Sequence, residues 1–343
     1  MDFLAELALF AAKAFLIVLA IVLVIGAIAR VGRRGRSDEE RGQLRVKKLA
    51  DRWKKSARAL ERALLPRRAF KALLEQDKKQ EKADRALLAP PQKAHAFVVD
   101  FDGNLRASQV NGLREEIGAI LSRAQAGDEV VVRLKSPGGL VYAYGLAASQ
   151  LERVRQRGPK LTVAVDQVAA SGGYMMAVVA DQILAAPFAV IGSIGVVAGF
   201  PNFHRWLERR DIDFELMTAG KFKRTMTMFG KNTEEGRKKF QEELEVAHTL
   251  FKSHITRFRP QLDLDKVATG EHWYGQDALG LGLVDRITTS DDYLLELRQR
   301  AEVMQVQWVP HRRIFERLGG AVESGLSRGV ERLWEKSEEQ RFL

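Results

Sequence analysis

Short apolar runs rich in valine alternate with helical stretches from His95 onward, and this alternation constrains the fold more than any other feature of the chain. The first runs are AHAFVVDF, DEVVVRL and KLTVAVDQ, and helical patterns over roughly 107–126 and 139–157 separate them. Strands and helices that alternate in this way build βαβ units around a largely parallel, buried sheet. The alternation continues through IDFELMTAG, a charged helix near 233–258 and LVDRI. We therefore predict one α/β domain over residues 94–305.

An apolar segment of 23 residues, 7–29, precedes this domain and carries a single charge. As a helix it would extend roughly 34 Å, which is enough to cross a bilayer. A cleaved signal peptide is the alternative, because Ala27-Ile28-Ala29 resembles a cleavage site. Asp2 and Glu6 stand where a signal peptide has a positive region, and the apolar run is long, so we predict a retained membrane anchor over residues 1–29.

The net charge of +11 is concentrated directly after the apolar segment. Residues 30–93 contain 21 Lys and Arg against 9 Asp and Glu, which leaves the rest of the chain near neutrality. A juxtamembrane segment attracted to anionic lipid explains this distribution better than a nucleic-acid site does. We predict a basic helical arm over 30–93, with helices within 37–88 that break at Pro66 and end before Pro90-Pro91.

The C-terminal tail, residues 306–343, has the pattern of an amphipathic helix. Apolar residues follow one another at intervals of four, namely Ile314, Leu318, Val322, Leu326 and Val330. Packing on the domain or on a neighbouring subunit is favoured over membrane contact, and the periodicity alone leaves both open.

Three turns of small residues follow strand-like runs: KSPGG at 135–139 follows VVVRL, AASGGY at 169–174 follows LTVAVDQV, and IGSIG at 191–195 follows AAPFAV. Because functional sites of parallel α/β sheets form at the carboxyl ends of the strands, we expect the three turns to lie together. Ser171 stands at a helix start before two glycines, where its hydroxyl is uncrowded and unpaired N–H groups favour negative charge. It is a candidate nucleophile, and an ordinary N-cap serine is the alternative.

A serine nucleophile needs a base, and none of the six histidines lies beside a glycine turn and an acidic partner in a triad pattern. The chain has no cysteine and no H-E-x-x-H motif, which excludes a cysteine nucleophile and leaves a zinc peptidase unsupported. Lysine remains, since burial lowers its pKa and yields a neutral amine. Lys223, in the segment TAGKFKRT, is the candidate, although a lysine in a basic loop is usually a solvated charge.

Taken in order, the motifs SPGG, ASGGY, IGSIGV and GKFKR resemble the signal peptide peptidase A family of serine–lysine peptidases, with the layout of its SohB branch. The resemblance covers roughly residues 95–305 and implies a role for each of several residues. By resemblance, Ser171 is the nucleophile, Lys223 is the general base, Ser193 orients the lysine, and Gly139 (favoured over Gly138) and Gly172 form the oxyanion hole.

The resemblance also implies a crotonase-like fold of repeated ββα units, shared with Clp-type peptidases. It implies ring-like oligomers whose dyad is completed across a subunit interface, although one fold could also bring the two residues together. It further implies small or membrane-derived peptides such as signal peptide remnants as substrates, and no cofactor, metal or nucleic acid. The expected location is a bacterial inner membrane with a single N-terminal span. The side stays open, because the basic flank favours the cytoplasm and the family favours the periplasm.

Two other functions compete with the peptidase. An acyl-CoA enzyme of the crotonase type would use paired backbone N–H groups and would need neither Ser171 nor Lys223. A non-catalytic membrane scaffold would have lost the site. The coexistence of a nucleophile and a base favours the peptidase.

Overall fold

The computed structural model of the protein describes residues 42–86 and 94–310. The chain divides into two compact units, one of residues 45–307 and one that combines 1–44 with 308–343. Of the second unit, residues 42–44 and 308–310 are described. There the backbone of Gly42 lies against the indole of Trp308 and leaves no room for a Cβ.

The main sheet has seven strands within the described residues. Their order is β1 (Gly42–Lys48), β10 (Ala301–Pro310), β2 (Ala94–Asp102), β3 (Glu129–Lys135), β4 (Lys160–Val165), β6 (Gln182–Ala185) and β9 (Arg286–Ile287). From β10 to β9 every neighbouring pair is parallel. The predicted parallel α/β sheet is therefore present.

A second sheet of three short strands adjoins the end of β3, where Ser136 bridges to Ala169. It consists of β5 (Val168–Ala170), β7 (Val190–Gly192) and β8 (His272–Tyr274), with β5 parallel to β7 and β8 antiparallel to it. The chain leaves the main sheet at the end of β4 to form β5, and again at the end of β6 to form β7. The sheets are thus linked by two strand-to-strand passages, and this mixed arrangement adds an antiparallel pair that the sequence did not predict.

Ten helices lie within the described residues. They are α1 (Leu49–Leu64), α2 (Arg67–Ala86), α3 (Val110–Leu121), α4 (Val141–Arg157), α5 (Gly172–Ala177), α6 (His204–Glu208), α7 (Glu234–Phe258), α8 (Leu264–Val267), α9 (Gly275–Gly280) and α10 (Ser290–Leu297). Local sequence explains several ends: Gly158 ends α4 in the left-handed conformation, and the Thr233 hydroxyl caps α7 by accepting a hydrogen bond from Gly236 N–H at 3.0 Å.

Helices cover both faces of the main sheet. On one face, Val130 and Val132 of β3 belong to a core that includes α3 and α4. On the other face, Val131 packs in a separate cluster with Tyr293 and Leu294 of α10. The continuous valine run of β3 is explained by this burial on both sides, which is typical of parallel strands.

Three local predictions were wrong. Residues 42–48, predicted as helix, form strand β1 because they pair at the sheet edge, where Lys48 also binds Glu302 at 2.5 Å. The run IDFELMTAG is irregular in the structure. The run AAPFAV (185–190) is mostly the turn between β6 and β7. The predicted helix break at Pro66 is confirmed between α1 and α2.

No helix among residues 42–86 and 94–310 is long and apolar enough to cross a bilayer. The predicted anchor (1–29), the start of the basic arm and the tail from His311 onward lie outside the described residues. Strand β10 continues to Pro310, past residue 305, where the peptidase domain was predicted to end.

Candidate active site

The three glycine turns lie side by side, as the sequence predicted. Ser136 of the first turn bridges to Ala169, with Ala170 N–H donating to the Ser136 carbonyl at 3.0 Å. Ala170 in turn pairs with Gly192 of the third turn. The second turn, which holds Ser171, is therefore flanked by the other two. The second and third turns end strands of the short sheet, however, and not strands of the main one.

Ser171 connects β5 to α5 in a strained backbone conformation, with φ 51° and ψ −117°. A positive φ at a residue other than glycine costs about 1–3 kcal/mol and persists where the surrounding structure imposes it. Here the Ser171 N–H donates to the Gly192 carbonyl at 2.7 Å. The half-buried side chain does not cap α5, so the alternative role as an N-cap is absent. A sharp strand-to-helix turn of this kind is how a nucleophilic serine is presented to substrate.

The two glycines of the first turn differ in the hydrogen bonding of their N–H groups. Gly138 N–H donates to Ser136 Oγ at 3.1 Å, whereas no hydrogen bond within the described residues uses Gly139 N–H. The Gly139 backbone lies so close to the Leu105 carbonyl that a Cβ would clash. Gly172, at the start of α5, lies in the same way against the ring of Tyr144.

Ser193 also adopts a positive φ, 50°, and is half-buried. Its N–H donates to the carbonyl of Glu271 at 2.7 Å. Beside it, Gly192 has φ 102° and faces Trp273, whose ring atoms would stand 2.8 Å from a Cβ. The third turn is thus held by Glu271 and by Trp273 of β8.

Lys223 is not brought to this cluster within the chain. It lies in the irregular segment between α6 and α7 and is exposed, and among the described residues no hydrogen bond or ion pair joins its amine to Ser171 or Ser193. Its neighbour Lys221 pairs with Glu235 at 2.5 Å and lies 5.1 Å from the centre of the Phe222 ring. Within the described residues, hydrogen bonds connect the three glycine turns to one another, and none of them includes the Lys223 amine.

Three residues that shape the site were missed from sequence: Tyr144, Trp273 and His254. Tyr144 and Trp273 pack against glycines of the site, and an aromatic residue within a helix or strand predicts only a core position. His254 of α7 places Nε2 3.0 Å from the carbonyl oxygen of Met175 in α5, and burial lowers its pKa, opposed by that hydrogen bond. The described residues contain no cluster of three or more His, Asp or Glu that could hold a metal ion.

Comparison with known proteins identifies the family. The family model "peptidase family S49 N-terminal" matches residues 2–151, and "peptidase family S49" matches residues 153–304. The chain is 46% identical over 339 residues to a Haemophilus influenzae protein described as probable protease SohB, covering 94% of each. It is 54% identical over 241 residues to a protein of that description from Buchnera aphidicola (subsp. Acyrthosiphon pisum), covering 70% of this chain and 72% of that one.

Among solved structures, the 1510-N membrane-bound stomatin-specific protease, a mutant in complex with a substrate peptide, matches at 13% identity with a TM-score of 0.39. That match covers 68% of this chain and 99% of the other. The two family models and the extent of the sequence identity place the protein: the chain belongs to peptidase family S49 and is a peptidase of the SohB type.

Proposed function

We propose that this peptidase is a serine endopeptidase in which Ser171 is the nucleophile and Lys223 is the general base. The observation that carries the proposal is the conformation of Ser171, which has a positive φ, an uncapped helix behind it and glycine turns on both sides. A serine in a strained backbone conformation is suited to attack a carbonyl when its hydroxyl makes no capping hydrogen bond to the helix that follows it.

The mechanism follows from the site. Lys223, neutral and held by Ser193, accepts the proton of Ser171 Oγ as that oxygen attacks a peptide carbonyl. The N–H groups of Gly139 and Gly172 stabilise the tetrahedral oxyanion. The amine product leaves with a proton from the lysine, and water then hydrolyses the acyl-enzyme. The engagement of the Gly138 N–H with Ser136 Oγ supports Gly139 over Gly138 as the donor.

A second copy of the chain supplies the lysine in this proposal. Lys223 is solvent-exposed in its own chain. The segment around it also exposes many large apolar side chains, which are Val197, Phe200, Phe203, Trp206, Ile212, Phe214, Leu216, Met217, Phe222, Met228 and Phe229. A contiguous apolar segment of this kind marks an interaction surface. Burying it against a neighbour would desolvate the amine, and repetition around a ring gives each Ser171 a partner. A crotonase-like ββα repeat, with the strand pairs β4–β5 and β6–β7, fits this assembly.

The proposed location is a bacterial inner membrane, with residues 7–29 as the anchor. The basic arm supports this proposal, because α1 exposes Leu60 and Leu64 beside arginines, a combination suited to an anionic lipid surface. Small or membrane-derived peptides, such as signal peptide remnants, are then the substrates within reach. Reporter fusions after residue 310 test the side of the membrane on which the domain lies.

The experiment that tests the dyad uses the full chain in detergent and a fluorophosphonate probe, with the modified residue read by mass spectrometry. We expect labelling at Ser171 that is lost in Ser171→Ala and in Lys223→Ala. Lys221→Ala is the matched control, because that lysine is paired with Glu235, and we expect it to keep labelling. Labelling that survives Lys223→Ala contradicts the assigned base. A folded wild type that is not labelled favours the non-catalytic scaffold.

A further inference from the structure

A chain of hydrogen bonds runs beneath the first glycine turn. Tyr144 Oη donates to the carbonyl oxygen of Asn104 at 2.8 Å and lies 2.6 Å from Ser136 Oγ. Ser136 Oγ in turn accepts the N–H of Gly138 at 3.1 Å. Tyr144 and Ser136 are both fully buried, so no solvent competes for these groups.

The direction of every bond in this chain is determined. A phenol has one proton, and Tyr144 gives it to Asn104. The bond between the two hydroxyls must therefore use the proton of Ser136, which leaves the lone pairs of Ser136 Oγ to accept from Gly138. Burial raises the pKa of Tyr144, so the phenol keeps its proton across the working range of pH. Because each of these hydrogen bonds can form in only one direction, together they fix the orientation of the Pro137–Gly138 peptide, whose N–H is the last donor of the series.

The same two residues also support the second turn. The ring of Tyr144 lies against the backbone of Gly172, and the Ser136 carbonyl oxygen would stand 2.5 Å from a Cβ on Gly173. Tyr144 and Ser136 thus contact Gly172 and Gly173 directly, and they reach Gly139 through its neighbour Gly138. A change in that pair alters the distance between the two proposed oxyanion donors, on Gly139 and Gly172.

We propose that Tyr144 is a positioning residue for the oxyanion hole, which acts through Ser136 to hold the Pro137–Gly138 peptide, so that the next peptide directs the Gly139 N–H toward the reacting carbonyl. This inference rests on the proposed function of Ser171 and deepens it. Tyr144 touches no substrate. Its role is to keep the Gly138 N–H bonded to Ser136 Oγ, so that the Gly139 N–H is the group that donates to the oxyanion.

Tyr144→Phe removes a single oxygen and is the primary test. The Asn104 carbonyl stays paired, because Ala107 N–H also donates to it at 2.9 Å, so the group left without a partner is the Ser136 hydroxyl. That hydroxyl then turns to another acceptor and loosens its hold on Gly138. The matched control is Tyr293→Phe, a buried tyrosine whose hydroxyl donates to Glu129 in the cluster on the other face of the sheet.

The measurement is kcat and KM of the full chain on a fluorogenic peptide, together with the affinity for a peptide aldehyde and the thermal unfolding midpoint. For Tyr144→Phe we expect kcat and aldehyde affinity to fall by about 10- to 100-fold, with KM changed by less than about threefold. Ser136→Ala should behave alike, and the double variant should lose no more than the single ones, because both changes break one chain of bonds. Tyr293→Phe should lower the unfolding midpoint and leave kcat unchanged.

Two results would overturn the inference. One is a Tyr144→Phe variant that loses thermal stability like Tyr293→Phe yet keeps kcat within about twofold of the wild type. The other is a double variant in which the two losses multiply, since independent effects are additive in free energy. Failure of the proposed function is distinguishable from both, because it appears in the wild type as absence of hydrolysis and of labelling at Ser171, and it removes this inference with it.

Discussion

Gly138 lies in contact with Ser171. A Cβ on Gly138 would come within 2.8 Å of the Ser171 Cβ and of the Ala170 carbonyl oxygen, and within 2.9 Å of the Gly172 nitrogen. Gly138 also has φ 99°, a conformation that glycine adopts without strain. The first turn and the proposed nucleophile are therefore one packed unit, in which neither can shift without the other.

Gly138→Ala should abolish activity at a moderate cost in stability. The added methyl pushes against Ser171, so we expect kcat to fall by about 100-fold or more, with about 1–3 kcal/mol of destabilisation from the positive φ and the clash. Gly127→Ala is the control, because Gly127 has φ 100° and no atom would lie within 4 Å of its Cβ. It should lose less stability in urea unfolding than Gly138→Ala, because it has the positive φ without the clash, and it should keep full activity. Activity retained in Gly138→Ala would refute the close packing.

Mixed oligomers should reveal where the lysine comes from. Ser171→Ala and Lys223→Ala variants are each expected to be inactive alone. If the dyad joins two copies, co-expression at equal levels should restore about a quarter of wild-type activity, because a random neighbour pair is complementary one time in four. Peptide hydrolysis by the purified mixture measures this. A mixture as inactive as its components would place both residues of the dyad in one chain.

The stability of the fold should fall below neutral pH through His254. Burial lowers the pKa of His254 in the folded state from its ordinary 6.5, opposed by the bond to the Met175 carbonyl and the charge of Glu152, while Arg257 lowers it further. The unfolded chain then binds more protons, so stability is complete above pH 6.5 and declines as the pH falls toward the folded-state pKa. Urea unfolding of wild type and His254→Gln from pH 8 to 5 should show a steeper decline for the wild type. Parallel curves would contradict this prediction.

The buried ion pair between Arg259 and Asp285 should stabilise far more than an exposed pair. Its two hydrogen bonds measure 2.5 and 2.7 Å, and the Arg259 side chain is 6% exposed. Arg259→Met leaves the Asp285 carboxylate uncompensated, although partly solvated, and should cost about 2–4 kcal/mol in urea unfolding.

Arg286→Met is the matched control for that pair. Arg286 makes the same two-bond pair with Glu296 at the surface, at 2.9 and 2.6 Å, and its loss should cost under about 1 kcal/mol. Equal losses in Arg259→Met and Arg286→Met would show that burial does not strengthen the first pair.

Local sequence was sufficient for strands β2, β3 and β4 of the main sheet and for the helices α3, α4 and α7. The valine run of β3 and the charged pattern of α7 were each predicted within a few residues, because buried parallel strands and amphipathic helices have their own periods. The turns at Ser136, Ser171 and Ser193 were also identified from small residues that follow strands. Site residues that lie in one short motif can therefore be predicted from sequence.

What the sequence determined by itself is the family, the order of the main elements and the candidate residues in the three glycine turns. Tertiary structure alone decided that β1 is a strand, since its residues extend only by pairing at the sheet edge, and that β5 and β7 form a second sheet. It also decided that Tyr144 supports the turns, because its partner Asn104 is 40 residues away in sequence. Such contacts depend on the packing of segments that are distant in sequence, so local propensity and the spacing of residues cannot predict them.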